Sequence, residues 1–301
     1  MELRNSIERR LLGKSRAIKE IREQIQKIAP TNYPVLITGE TGVGKTLAAE
    51  LIHELSPRAS KEFIHLNCSN ISPELFESEL FGHERGAFTG AVERKKGKLE
   101  LADGGTVFLD EIGDLHPHNQ GKLLLFMDKG VFYRLGGIEK LKADVRIIAA
   151  TNKNLLFEMK HGRFRQDLYF RIRTFEIHIP PLRERKEDIP MLAEEILKRE
   201  SRRIGSKKAL APEALDKLLA YDWLGNIREL ENVIRREIIE TEGERIEAIC
   251  SIYLSNKDKR TRVFNHRMLI ETLIRCRGNK SAAAKELGIS RQWLYKILST
   301  K

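Results

Sequence analysis

The eight residues Gly39-Glu40-Thr41-Gly42-Val43-Gly44-Lys45-Thr46 carry the most information in this chain. They follow the apolar run Val35-Leu36-Ile37-Thr38, which Pro34 and Gly39 bound, and which reads as a short buried β-strand. They precede Leu47 to Ile52, which reads as a helix. Strand, glycine-rich loop, Lys-Thr and helix is the P-loop arrangement of a nucleoside triphosphate site. Three glycines let the backbone bend until successive N–H groups face phosphate oxygens, with the positive end of the helix on the same anion. Lys45 is expected at the terminal phosphates and the Thr46 hydroxyl on Mg²⁺.

The rest of the composition bounds what such a site belongs to. At 301 residues the chain has room for two or three domains, and 41% hydrophobic with 32% charged residues is ordinary for a globular protein. No apolar run is long enough to cross a bilayer, so no membrane partner is expected, and Met1-Glu2-Leu3-Arg4 does not open a signal peptide. Cys68, Cys250 and Cys276 lie far apart in no metal-ligand spacing, which points to a reduced, cytoplasmic interior. The net charge of +11 is unevenly spread: residues 251–301 hold 12 Lys and Arg against 3 Asp and Glu, whereas the first 250 hold 42 against 40. A nearly neutral nucleotide-handling body with a strongly basic tail suggests attachment to nucleic acid.

Along the chain, Ile18, Ile21, Ile25 and Ile28 fall on one face of a helix over 16–28. Residues 63–67 read as a second strand, and 73–81 as a helix that runs into the glycine-dense Gly82 to Ala91, expected as a loop or helix tip. Thr106 to Leu109 is a strand buried on both faces, with Asp110 and Glu111 at its carboxyl end, where open α/β sheets bind ligands. Asp110 is expected on Mg²⁺, and Glu111 is expected to polarise the attacking water. Gly136-Gly137 suggests a small hairpin between 132–135 and 138–141. Residues 145–150 are another buried strand, ending in Thr151-Asn152, whose amide is placed to touch the γ-phosphate or to cap a helix. Residues 164–171 form a short helix displaying Arg165 and Arg171, of the kind that stabilises phosphoryl charge in a neighbouring subunit's site or pairs on a surface.

Pro180-Pro181 closes the α/β part. Three helices follow, over 189–204, 212–221 and 226–241, as a lid in which Arg228 is positioned to reach the phosphates. Residues 255–262 read as a polar linker. Beyond it, a helix over 280–287, Gly288-Ile289-Ser290 and a helix over 291–298 give a helix-turn-helix pattern. Ser290 caps its second helix, leaving Lys280, Arg291, Gln292, Tyr295 and Lys296 for bases and phosphates of double-stranded DNA.

Taken together these residues resemble the bacterial enhancer-binding proteins, AAA+ transcription activators that work on RNA polymerase carrying sigma-54. The resemblance runs from about Leu11 to Leu298. Its most specific element is Gly86-Ala87-Phe88-Thr89-Gly90-Ala91, which matches residue for residue the loop that contacts sigma-54 in that family. Residues 79–84 and 99–111 also look like the family's. The resemblance implies that Asn67 pairs with Glu111 as a nucleotide-sensing switch. It also implies that Thr151 and Asn152 form sensor I, that Arg165 and Arg171 are paired arginine fingers, that Arg228 is sensor II, and that the tail is a Fis-type helix-turn-helix on upstream enhancer sites. Two departures stand out: Thr46 where the family commonly has Glu, and Trp223-Leu224-Gly225-Asn226 where it has a proline in second place, expected to loosen that turn.

The expected fold is therefore an α/β AAA+ P-loop core, a parallel sheet flanked by helices, over residues 1–181. A helical lid follows over 182–250, then a linker over 251–262 and an all-α DNA-binding domain over 263–301. The expected function is an ATP- and Mg²⁺-dependent activator that acts as a ring, hexameric in the family, to open promoters held by the sigma-54 holoenzyme. Only about ten residues precede Leu11, so either the chain lacks a regulatory domain and answers to a separate regulatory protein, or it is a fragment. A protein-remodelling AAA+ ATPase with a basic adaptor tail, and a DNA-binding repressor with a vestigial core, are the competing readings; the intact loop and catalytic positions count against them.

Overall fold

Ser15 opens helix α1 (Arg16–Ile28) by accepting the Ile18 N–H on its hydroxyl, and the four isoleucines predicted to share a face are all buried. The computed structural model of the chain describes residues 7–69 and 72–247, with 249, 276 and 280 singly beyond them. Two units, Met1–Glu247 and Ala248–Lys301, make up the chain, and the first holds all the elements below. The expected linker, the tail helices and Ser290, Arg291, Gln292, Tyr295 and Lys296 lie outside the described residues; Lys280 is helical and exposed.

After α1 come strand β1 (Val35–Thr38), helix α2 (Lys45–Glu54), strand β2 (Phe63–Asn67) and helix α3 (Pro73–Phe81). A short antiparallel pair follows, β3 (Gly82–His83) with β4 (Lys95–Lys96), then helix α4 (Lys98–Leu101) and strand β5 (Thr106–Asp110). Helix α5 (Pro117–Lys129), the pair β6 (Val131–Phe132) and β7 (Leu141–Lys142), strand β8 (Arg146–Thr151), helices α6 (Leu155–Lys160) and α7 (Gln166–Ile172), and strand β9 (Phe175–His178) complete the α/β part. The lid contains helix α8 (Ile189–Arg203), strand β10 (Ala209–Leu210), helices α9 (Pro212–Ala220) and α10 (Asn226–Glu240), and strand β11 (Arg245–Ile246), which pairs parallel with β10.

The main sheet is wholly parallel, in the order β2-β5-β8-β1-β9. Alternation decides what each strand feeds. Val35, Ile37, Phe108, Ile148 and Ala150 join the core under α1 and α2, whereas Leu36, Val107, Leu109, Ile147 and Ala149 join the core under α3, α5 and α7. Helices on both faces explain why these strands read as unbroken apolar runs.

The hairpin differs from expectation. Pairing is Val131 with Lys142 and Phe132 with Leu141, so residues 133–140 form the connection and Gly136-Gly137 is not a two-residue turn between strands. The cause is competition: the Leu135 N–H donates to the Gly82 carbonyl (2.9 Å) and its carbonyl accepts the Glu84 N–H (2.9 Å), which draws this segment onto β3.

Arg146, fully buried at the start of β8, closes the other end of the sheet. Its guanidinium donates to the carbonyls of Ala29 (2.8 Å), Ile28 (3.0 Å) and Tyr33 (3.3 Å), satisfying the exit of α1. Burial and the neighbouring Arg58 push it down to about 10, still charged at neutral pH. Replacing it by Met keeps the stem and removes the donors, so Arg146→Met should lower unfolding stability by at least about 2 kcal/mol in a urea titration. A loss under about 0.5 kcal/mol would show that these carbonyls find other partners.

Candidate functional site

Sheet register puts the site together. Asn67 is paired with Asp110, and Thr38 with Thr151, so the carboxyl ends of four adjacent strands stand in a row. The P-loop leaves β1 at one end of that row. Gly39, Gly42 and Gly44 all have positive φ. At the first two a Cβ would come within 2.5 Å of the Ile179 carbonyl oxygen and 2.4 Å of the Gly225 carbonyl oxygen, so neither position tolerates a side chain. At Gly44 the space is open.

A cleft of about 580 Å³ lies over this row and under α10. Of the expected nucleotide-binding set, Thr41, Gly42, Gly44, Lys45, Thr46, Asp110, Asn152 and Arg228 line it, as do Glu111 and Asn67. Gly39, Glu40 and Val43 do not. Val43 is buried in the core and the Glu40 carboxylate turns toward the lid, so these positions can offer a nucleotide only their backbone N–H groups.

Lys45 is almost fully buried, its ammonium donating to the Gly39 carbonyl (3.0 Å) and lying 3.4 Å from Glu111 Oε1. Glu111 has left-handed backbone (φ +52°), a strained conformation for this residue type that aims its side chain across the cleft. Its other oxygen accepts the Asn152 N–H (3.0 Å), and the Asn152 amide donates to the Thr41 hydroxyl (3.0 Å). Asp110 accepts the Glu111 N–H (3.0 Å) and lies 3.5 Å from His65 Nε2. Among the described residues no group of three or more His, Cys, Asp or Glu could hold a metal alone. Thr46 and Asp110 nevertheless offer the hard oxygens Mg²⁺ prefers, and such an ion takes its remaining ligands from phosphate and water. The donor set therefore fits a Mg²⁺-nucleotide.

Three expected arrangements take a different form in the structure. Asn67 lines the cleft, but its carboxamide oxygen accepts the Ser69 N–H (2.8 Å) and hydroxyl (2.7 Å), while Glu111 turns to Lys45 and Asn152. The side chains of Asn67 and Glu111 are thus engaged separately. Thr151 is fully buried, its hydroxyl accepting the Lys153 N–H (3.0 Å), so of the expected sensor pair only Asn152 reaches the cleft. The turn at Trp223-Leu224-Gly225-Asn226 is also held firmly without proline. The buried Trp223 indole donates to the Leu218 carbonyl (2.8 Å), and Glu229 accepts the Gly225 N–H (2.8 Å) and the Tyr221 hydroxyl (3.0 Å).

Arg165 and Arg171 lie away from the chain's own cleft, both about half exposed. Arg165 makes a two-pronged contact with Asp167 (2.7 and 3.0 Å), and Arg171 pairs with Asp128 (3.1 Å) while donating to the Met127 carbonyl (2.8 Å). The fully buried Gln120 of α5 accepts the Arg165 N–H (2.8 Å) and so fixes where that arginine leaves the fold.

The Gly86–Ala91 loop is closed on itself by the Gly86 N–H on the Ala91 carbonyl (2.8 Å), with Thr89 and Gly90 exposed at its tip. Its base is anchored by Arg134, which is buried and donates to Glu84 (2.8 Å) and to both oxygens of Glu100 (2.8 and 2.6 Å). These carboxylates raise the Arg134 pKa further above its ordinary value. Phe88 rests edge-on against His83, and Gly136 packs against Ala87 so closely that a Cβ there would stand 2.9 Å from the Ala87 methyl.

Sequence reasoning missed Gln120, Arg134 and a junction of Glu40, Arg183 and Asn226. Arg183 grips both Glu40 oxygens (2.6 and 2.8 Å), and the Asn226 amide donates to Glu40 (3.1 Å). Only the Gly225-Asn226 pair, a dipeptide suited to positive φ, hinted at it.

Comparison with known proteins supports a single family. Residues 11–178 match the Sigma-54 interaction domain, 183–253 the AAA+ ATPase lid domain, and 262–298 the Fis-family segment of bacterial regulatory proteins. The transcriptional regulatory protein ZraR of Escherichia coli K12 is 43% identical over 300 residues, covering 96% of this chain and 68% of ZraR. The nitrogen fixation protein AnfA of Azotobacter vinelandii is 42% identical over 297 residues, covering 94% of this chain and 56% of AnfA. The crystal structure of NtrX from Brucella abortus in complex with ATP is similar with a TM-score of 0.75 at 37% identity, covering 95% of this chain and 68% of NtrX. The chain thus spans 56–68% of the length of these relatives.

The Arg183 and Asn226 donors hold the Glu40 carboxyl down to about 2 from its ordinary 4.5. A depressed carboxylate contributes fully above its unfolded value, so the junction is at full strength above pH 4.5 and is lost as pH falls toward 2. Glu40→Gln should flatten that part of the acid-unfolding profile followed by tryptophan fluorescence; a variant profile that superposes on the parent would contradict this.

Proposed function

The chain belongs to the sigma-54 interaction family of AAA+ ATPases that carry a Fis-family segment, and from that membership we propose that it activates transcription by spending ATP on opening promoters held by the sigma-54 polymerase. The observation that carries this reading is the joint presence, in one described unit, of a nucleotide cleft complete from Lys45 to Glu111 and an anchored loop presenting Thr89. Lys45, Thr46 and Asp110 hold Mg²⁺-ATP, whose metal draws charge from the phosphates when bound. Glu111 takes the proton of the attacking water, and Asn152 and Arg228 face the γ-phosphate.

Arg165 and Arg171 act in the neighbouring copy's cleft, so the working form is a ring, and a hexamer is the family expectation. Their outward placement and their exposed, readily exchanged carboxylate partners support this. The Fis-family segment binds double-stranded DNA at enhancer sites through Lys280, Ser290, Arg291, Gln292, Tyr295 and Lys296. The working compartment is the cytoplasm, and a separate protein or a further segment supplies regulation. Among the described residues no helix is long and apolar enough to cross a membrane.

Single-round transcription from a sigma-54 promoter, with ATP or a non-hydrolysable analogue, tests the whole reading. Open complexes should require both this protein and hydrolysis. Thr89→Ala should keep hydrolysis within about two-fold while abolishing open complexes, because the Thr89 side chain is exposed and is not among those lining the cleft. Joint loss of both activities would assign the loop a structural role. Subunit mixing tests the arginines: Glu111→Gln and the double variant Arg165→Ala/Arg171→Ala should each be down by about a hundred-fold or more, yet regain hydrolysis when combined. No recovery on mixing would place the arginines in their own subunit's chemistry or outside it.

A further inference from the structure

The lid meets the P-loop through carbonyl oxygens. Asn226 is fully buried with φ +54°, a left-handed conformation that asparagine tolerates better than most residues, and this turns its side chain out of α10 into the junction. Its Oδ1 accepts the Leu182 N–H (2.8 Å), and its Nδ2 donates to the Thr41 carbonyl (3.0 Å) and to Glu40 Oε2 (3.1 Å). The next residue, Ile227, donates its N–H to the Gly42 carbonyl (3.0 Å). Arg185, buried in the lid, donates to the Val43 carbonyl (3.0 Å). Three successive P-loop carbonyls are therefore held from the lid side.

A peptide unit is planar and trans, so its C=O and N–H point in opposite directions. Holding the carbonyls of Thr41, Gly42 and Val43 on one side commits the N–H groups of Gly42, Val43 and Gly44 to the other, which is the phosphate side of a P-loop. The glycine at position 42 makes so close an approach possible, since a Cβ there would meet the Gly225 carbonyl oxygen at 2.4 Å. Glu40, clamped by Arg183, fixes the remaining orientation of the Asn226 amide.

We propose that the lid orients the phosphate-binding amides of the P-loop, with Asn226 as a positioning residue for ATP that never touches the nucleotide. Lid angle and phosphate affinity are then one variable: a lid displaced from the P-loop frees three peptide planes to rotate. Arg228, two residues on and in the cleft, moves with the same joint.

The inference rests on the ATPase reading, which hydrolysis by the unaltered chain checks separately. Asn226→Asp keeps the acceptor for Leu182 but loses both donors and sets a carboxylate against Glu40. KM for ATP should rise about ten-fold or more, with kcat at saturating ATP falling less than about three-fold, measured on the full chain above its assembly concentration. Glu40→Gln in the same chain relieves the facing carboxylates but returns no donor to the Thr41 carbonyl, so it should recover only part of the KM loss, whereas a loss caused by carboxylate repulsion alone would be recovered in full. An unchanged KM in Asn226→Asp, a KM rise that Glu40→Gln reverses completely, or a fall confined to kcat would overturn the proposal. Should Asn226→Asp not fold, Arg183→Gln reaches the same joint from its exposed end, and KM should rise about three-fold. An unchanged KM there would also overturn it.

Discussion

The carboxyl ends of the parallel strands β2, β5, β8 and β1 stand in register, and everything chemical in this chain hangs from that row. Asn67, Asp110, Thr151 and Thr38 are its members, and the P-loop and Glu111 continue directly from two of them. A parallel sheet can hold this register only with both faces covered, because its strands alternate large apolar side chains to each side. The two cores, one under α1 and α2 and one under α3, α5 and α7, are therefore as necessary to the cleft as the residues that line it. Arg146 belongs to the same constraint, since it secures the exit of α1 from the far end of the sheet.

What the sequence disclosed follows from the range of the interactions involved. Helix α1, the strands around the P-loop and the three lid helices came out within a residue or two because their signals are local: apolar spacing, a bounding Pro34 and a closing Pro180-Pro181. The hairpin at Gly136-Gly137 misled because the Leu135 backbone is claimed by Gly82 and Glu84, some fifty residues earlier in the chain, and no local pattern reports such a claim. The same holds within the site. That Asn67 turns to Ser69 and that Thr151 points into the core depend on side-chain choices among several available partners. Asn226 joins residues separated by 185 positions, so its role could not be read from spacing at all.

The exposed loop and the cleft solve opposite problems with the same residue type. In the P-loop, glycine is required at 39 and 42 because another backbone approaches too closely for any side chain. In the Gly86–Ala91 loop, Gly86 and Gly90 have positive φ but open space around them, so their contribution is conformational freedom at a solvent-facing tip. Freedom at the tip is useful only if the base is fixed, and Arg134 fixes it from beneath through Glu84 and Glu100. The result is a short loop with an unobstructed tip on a rigid stem.

Burial sorts the arginines in the same way. Arg134 is buried against the carboxylates of Glu84 and Glu100, and removing both would leave a buried charge unpaired, which costs several kcal/mol. Arg165 and Arg171 also rest on carboxylates, but at positions about half exposed, where such a pair is worth only about 0.2–1 kcal/mol. An arginine that must leave its partner to meet a phosphate on another molecule has to be of the second kind. In the proposed ring, Asp167 and Asp128 would aim those two side chains without keeping them, because phosphate oxygens, with more charge and matching two-pronged geometry, are the better acceptors. Arg183 lies between these extremes: it is a third exposed yet grips Glu40 with both prongs, as suits a joint that holds the lid while remaining able to yield.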